Sequence, residues 1–107
     1  MIHISNILPL IATELDNMQP KDAMQFRTYK KDRGFIIYCL APNQFQLLET
    51  GFIHGSYLGD LSATQKMAKK VLKKEFPRSN MVWVDHYQQV ENPQAIDAHH
   101  ARQGSLF

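Results

Sequence analysis

Apolar residues recur along this chain with two periods, and the switches between them mark out the elements. Ile7, Leu8, Ile11, Leu15 and Met18 lie three or four residues apart, the spacing of one buried helical face. Ser5 or Asn6 can cap this helix. With Asn6 as cap, Pro9 falls in the first turn, where its missing N–H costs little, and Gln19-Pro20 ends the helix. The period then drops to two. Over residues 24–30 one face carries Met24, Phe26 and Thr28 and the other Gln25, Arg27 and Tyr29, which predicts a half-buried strand. Asp32-Arg33-Gly34 supplies a turn. Residues 35–40 are apolar almost throughout, as in a strand buried on both faces. Beyond the break at Ala41-Pro42-Asn43, residues 44–49 and 52–58 predict a hairpin around Thr50-Gly51, with Gly55 weakening the second arm.

The helical period returns after residue 61. Ala63, Met67, Ala68, Val71, Leu72 and Phe76 form an apolar stripe. Ser62 and Gln65 fit a capping box, and Phe76-Pro77 closes the helix. Residues 81–85 follow as a short strand, and Asn92-Pro93 is placed to start a brief last helix through about Ala101. The expected fold is a small α+β domain in the order α-β-β-β-β-α-β, a mostly antiparallel sheet packed by two helices. It occupies residues 1–90, and residues 91–107 are expected to form a flexible polar tail.

Composition narrows the setting. The 107 residues, 44% of them apolar, suffice for one domain with one core. A single cysteine, Cys39, excludes an intrachain disulfide and points to a reducing compartment. No stretch approaches the roughly 20 apolar residues that span a bilayer. Met1-Ile2-His3-Ile4-Ser5 lacks the basic start of a signal peptide, so a cytoplasmic protein without membrane association is expected. The net charge of +2 is unevenly spread. Between residues 61 and 78, Lys66, Lys69, Lys70, Lys73, Lys74 and Arg78 face Glu75 alone, while the segments on either side are net acidic.

Clustered lysines behind a buried helical stripe can contact phosphates and give salt-dependent, sequence-independent affinity for DNA or RNA. Lys30, Lys31 and Arg33 add a second contact if the fold places them on the same side. Equally, lysine is a good helix former and commonly covers a solvated face. The arrangement of helix, three strands and basic helix is similar in outline to the double-stranded-RNA-binding domain, with Lys66-Met67-Ala68-Lys69-Lys70 near that family's basic helix start. The Gly-Pro-x-His loop of that family is absent and extra strands are present, so no binding residue is carried over.

The last five residues, Gln103-Gly104-Ser105-Leu106-Phe107, resemble the short peptide with which bacterial DNA-processing proteins dock on the ring-shaped sliding clamp. The common form is Gln, any residue (often Leu), Ser or Asp, Leu, Phe. Gln103, Ser105, Leu106 and Phe107 match, and Gly104 departs from the preferred leucine. A match at four positions in one fixed place arises by chance about once in 10,000 sequences. The resemblance implies that Leu106 and Phe107 fill a preformed apolar pocket while the Gln103 amide fixes register. Gly104 costs one apolar contact and adds backbone freedom that binding must freeze. The plainer alternative is a terminal Leu-Phe packed back on its own core.

Other polar residues carry weaker chemistry. His99 and His100 are adjacent, so on a helix they point about 100° apart and do not chelate one ion. His3, His54 and His86 have no ligand spacing, and no metal or cofactor is expected. Cys39 reads as a small buried side chain. Asp85-His86 resembles half of a catalytic pair without an assignable nucleophile. Trp83, Phe35 and Tyr38 read as core rather than as base-stacking platforms. The expectation is a non-enzymatic bacterial, plasmid or phage protein of DNA replication or repair. Its tail reaches the clamp, and its domain touches nucleic acid or a replication partner. The alternatives are a small nucleic-acid-processing enzyme, or an interaction module unrelated to DNA.

Overall fold

A computed structural model describes residues 1–50, 55–94 and 96. The chain forms β1 (Ile2–His3), a short 3-10 turn (Ile4–Asn6), α1 (Ile7–Asn17), β2 (Ala23–Arg27), β3 (Gly34–Ala41), β4 (Gln44–Glu49), β5 (Ser56–Gly59), α2 (Leu61–Glu75) and β6 (Met81–Tyr87). The strands make one sheet in the order β1-β6-β2-β3-β4-β5, each described pair antiparallel. The expected α+β order is present, with one addition. Strand β1 is two residues long, pairs Ile2 with Val82 and His3 with Met81, and is too short to show a period. Helix α2 carries the chain from the β5 edge back across the sheet, so that β6 enters between β1 and β2.

Both helices cover one face of the sheet. Alternation along the strands points Met24, Phe26, Phe35, Ile37, Phe45, Leu47 and Val82 toward Ile7, Ile11 and Leu15 of α1 and Ala68, Val71 and Leu72 of α2. Phe26 and Phe35 stack with ring centroids 4.7 Å apart, and Phe76 meets Phe35 edge-on at 6.0 Å. The turn into β3 is closed tightly at Gly34. A Cβ there would lie 2.0 Å from the Phe26 carbonyl oxygen, which only glycine avoids.

Three expectations are corrected. First, β2 is buried on both faces rather than one: Ala23, Met24, Gln25 and Phe26 are all buried. The chain after β6 returns over the outer face. The Val90 N–H donates to the Lys21 carbonyl, the Tyr38 hydroxyl donates to the Val90 carbonyl, and Ile96 packs against Ala23, Ile36, Tyr38 and Leu48. The Asn92 side chain accepts from the Gln94 N–H at 3.0 Å, capping a helical turn at Pro93 as the Asn-Pro pair implied. Second, α2 is capped by Asp60, whose carboxylate accepts from the Ala63 N–H at 2.8 Å, and not by the Ser62 box. Asn43, in the left-handed region at φ 56°, accepts from the Leu61 N–H at 3.0 Å. Two side chains thus satisfy the first turn, and the helix starts earlier. Third, Thr64 and Glu75 belong to the buried face of α2, whereas Ala63 is exposed. No helix of the described residues is long and apolar enough to cross a membrane.

Candidate nucleic-acid interface

Lys66, Lys69, Lys70 and Lys73 are exposed on α2. At 100° per residue they occupy an arc of about 100°, opposite the buried stripe. Lys74 is exposed as well, but it is engaged in an ion pair. Its Nζ lies 2.8 Å from Oε2 of Glu49, whose side chain is fully buried. The cause is the alternation along β4: Phe45 and Leu47 face the helices, so Glu49 does too, and a carboxylate there requires a cation. That hydrogen bond holds the Lys74 ammonium above its ordinary pKa. Glu49 also accepts from the Tyr57 hydroxyl at 2.8 Å, which raises the tyrosine pKa.

Glu75, one residue on, is also buried and takes Arg33 as its partner. Arg33 Nε donates to Glu75 Oε2 at 2.9 Å, and Nη2 donates to the Lys74 carbonyl at 3.0 Å. Arg33 is therefore turned inward. It neutralises a buried carboxylate and satisfies an orphan carbonyl at the helix C-terminus. Among the described residues, Glu75 Oε1 has no hydrogen-bond partner.

This anchoring answers where the β2–β3 loop goes: it lies against the C-terminal end of α2. The loop is braced from within as well, by Thr28 N–H to the Arg33 carbonyl at 3.0 Å and the Thr28 hydroxyl to Asp32 at 2.9 Å. On its far side Trp83 Nε1 donates to the Tyr29 carbonyl at 3.1 Å, and the Lys31 ammonium stands 4.7 Å from the centre of the Trp83 ring. Between the loop and the α2–β6 connection opens a cleft of about 690 Å³, lined among others by Tyr29, Lys30, Arg33, Glu75 and Arg78. A second groove of about 420 Å³, walled by Ile4, Leu8, Leu72 and the stems of Lys69 and Lys73, meets the first at Pro77. The lysine face of α2 and the cleft thus adjoin.

The other candidates separate. Asp85 and His86 point to opposite faces of β6 and form no pair. Asp85 accepts from Arg27 Nη2 at 2.7 Å, and His86 is exposed. Phe35 and Tyr38 are core, as expected, whereas Trp83 is only partly buried. Cys39 is buried, and burial pushes its thiol pKa up. Gln103, Ser105, Leu106 and Phe107 lie outside the described residues. Tyr29 and Arg78 were not marked as site residues by the sequence: Tyr29 fitted the alternation of a strand, and Arg78 stood alone past a helix end. No protein-family model, no curated protein and no solved structure matches the chain.

Proposed function

We propose that this chain is an accessory protein of bacterial DNA replication or repair. Its Gln103-Gly104-Ser105-Leu106-Phe107 peptide docks on the sliding clamp, and its domain touches nucleic acid through Lys66, Lys69, Lys70 and Lys73. The observation that carries the reading is the peptide itself. Gln103, Ser105, Leu106 and Phe107 agree with the clamp-binding pattern at four positions. The four exposed lysines on one arc of α2, with the basic cleft beside them, support the second half. The two halves reinforce each other, because a peptide held on the clamp raises the local concentration of the basic face at the DNA that the clamp encircles. Burying a leucine and a phenylalanine contributes roughly 1.5–3 kcal/mol each before ordering costs, which suits micromolar binding.

The test is calorimetry or a pull-down against a bacterial sliding clamp. Leu106→Ala with Phe107→Ala is expected to weaken binding about a hundredfold, since truncating each buried interface anchor costs over 1 kcal/mol. Gly104→Leu is expected to tighten it by restoring an apolar contact and stiffening the peptide. Equal binding by the wild type and the double alanine variant overturns the reading.

A further inference from the structure

Nucleic-acid contact through lysines alone specifies neither strand number nor any contact with a base. The cleft beside them supplies both. We propose that the cleft between the β2–β3 loop and the α2–β6 connection binds single-stranded nucleic acid, with one base stacked on Tyr29 and the flanking phosphates on Lys30 and Arg78. The inference rests on the nucleic-acid half of the proposed function and is independent of the clamp peptide.

Tyr29 is the first reason. It is 70% exposed on the wall of the cleft, an unusual place for a large ring that has no packing role. Its backbone is nonetheless held on both sides, by Trp83 Nε1 at its carbonyl and by the Arg33–Glu75 ion pair a few residues on. A loop anchored at both ends presents the ring at little ordering cost on binding. An exposed aromatic ring beside a basic groove is the arrangement that accepts unpaired bases, since each base has a π-face and the groove follows the phosphates. A duplex keeps its bases stacked inside and has none to offer Tyr29.

Charge is the second reason. Lys30 and Arg78 line the cleft from its two walls, and Lys69 and Lys73 continue the basic margin past Pro77. Of the acids in the lining, Glu75 is paired with Arg33, and Asp32 accepts from the Thr28 hydroxyl and keeps its charge, so Lys30, Arg33 and Arg78 outnumber the acids three to two. A ligand with a π-face for Tyr29 and phosphates for Lys30 and Arg78 is a nucleotide, and the neighbouring Lys69 and Lys73 extend it to a strand.

The experiment uses the full chain, a short fluorescent oligo(dC), its oligo(rC) counterpart and a duplex of the same length. Anisotropy gives affinity. The emission of Trp83, the only tryptophan, reports on the loop because its indole holds the Tyr29 carbonyl. The single strand is expected to bind more tightly than the duplex and to alter Trp83 emission. Tyr29→Ala should weaken single-strand binding about tenfold, whereas Tyr29→Phe, which keeps the π-face, should leave it within about twofold. Lys30→Gln with Arg78→Gln should lower the salt dependence. A matching 2′-hydroxyl effect in the oligo(rC) arm assigns the site to RNA, and equal affinities assign it to single strands of either sugar. If Tyr29→Ala binds as well as the wild type while Lys66, Lys69, Lys70 and Lys73→Gln abolish binding, the cleft is overturned and the lysine face stands. If the wild type binds neither strand form, both fail.

Discussion

The two faces of the sheet are built on different physics. The face under α1 and α2 is filled by apolar packing. Its buried residues are apolar and clustered around Phe26, Phe35 and Phe76, and its charged members, Glu49 and Glu75, enter only at one end with cations attached. The outer face mixes a small apolar cluster around Ile36 and Ile96 with polar pairs: Arg27 with Asp85, the Tyr87 hydroxyl donating to Gln25, and the Tyr38 hydroxyl donating to Val90. Apolar burial is non-directional, so the inner face supplies most of the stability. Hydrogen-bonded pairs need particular partners, so the outer face contributes less free energy and holds the returning chain in one place. The cleft proposed for nucleic acid lies where these two designs meet, at the end of the inner face where buried charges brace a loop and Trp83 reaches that loop from the outer face.

The inner face should be the more sensitive of the two to truncation. Phe35→Ala removes the ring that touches both Phe26 and Phe76, and urea denaturation should show a loss of about 3–5 kcal/mol. The outer face should give a smaller effect. Ile96→Ala should cost about 2 kcal/mol, the low end for such truncations, because one side of this small cluster is a single turn of chain. A loss as large as that of Phe35→Ala would mean that both faces carry the fold equally. Alkaline pH gives the smallest and most diffuse effect. Burial raises the pKa values of Cys39 and Tyr87, and Glu49 raises those of Tyr57 and Lys74. Each group holds its proton more tightly when folded. Its contribution is therefore complete below the unfolded pKa and is lost as pH rises through the folded one. Stability should be flat near neutrality and decline above roughly pH 8.5, the ordinary thiol value, with denaturation midpoints across pH as the measurement. Tyr87→Phe should remove the outer-face share of that decline. A midpoint that rises with alkaline pH would reverse the argument.

Much of the fold was legible in local pattern, because period and breakers act over a few residues. The spacing of Ile7, Ile11 and Leu15, the apolar run at residues 35–40 and the stripe of Ala68, Val71 and Leu72 placed both helices and the central strand. The exposed lysines followed from the same stripe, since residues off the buried face of a helix meet water. The clamp-like peptide is likewise a matter of sequence alone. Tertiary structure decided what depends on partners distant along the chain. The cap of α2 needed Asn43 from a turn between strands, and the burial of β2 on both faces needed Ile96. Lys74 and Arg33, indistinguishable in sequence from their basic neighbours, became ion-pair partners because Glu49 and Glu75 fell on the buried side of their elements and a buried carboxylate requires a cation. Tyr29 and Arg78 line one cleft only because Arg33 ties the β2–β3 loop to the end of α2, a contact 42 residues long in sequence that no local pattern encodes.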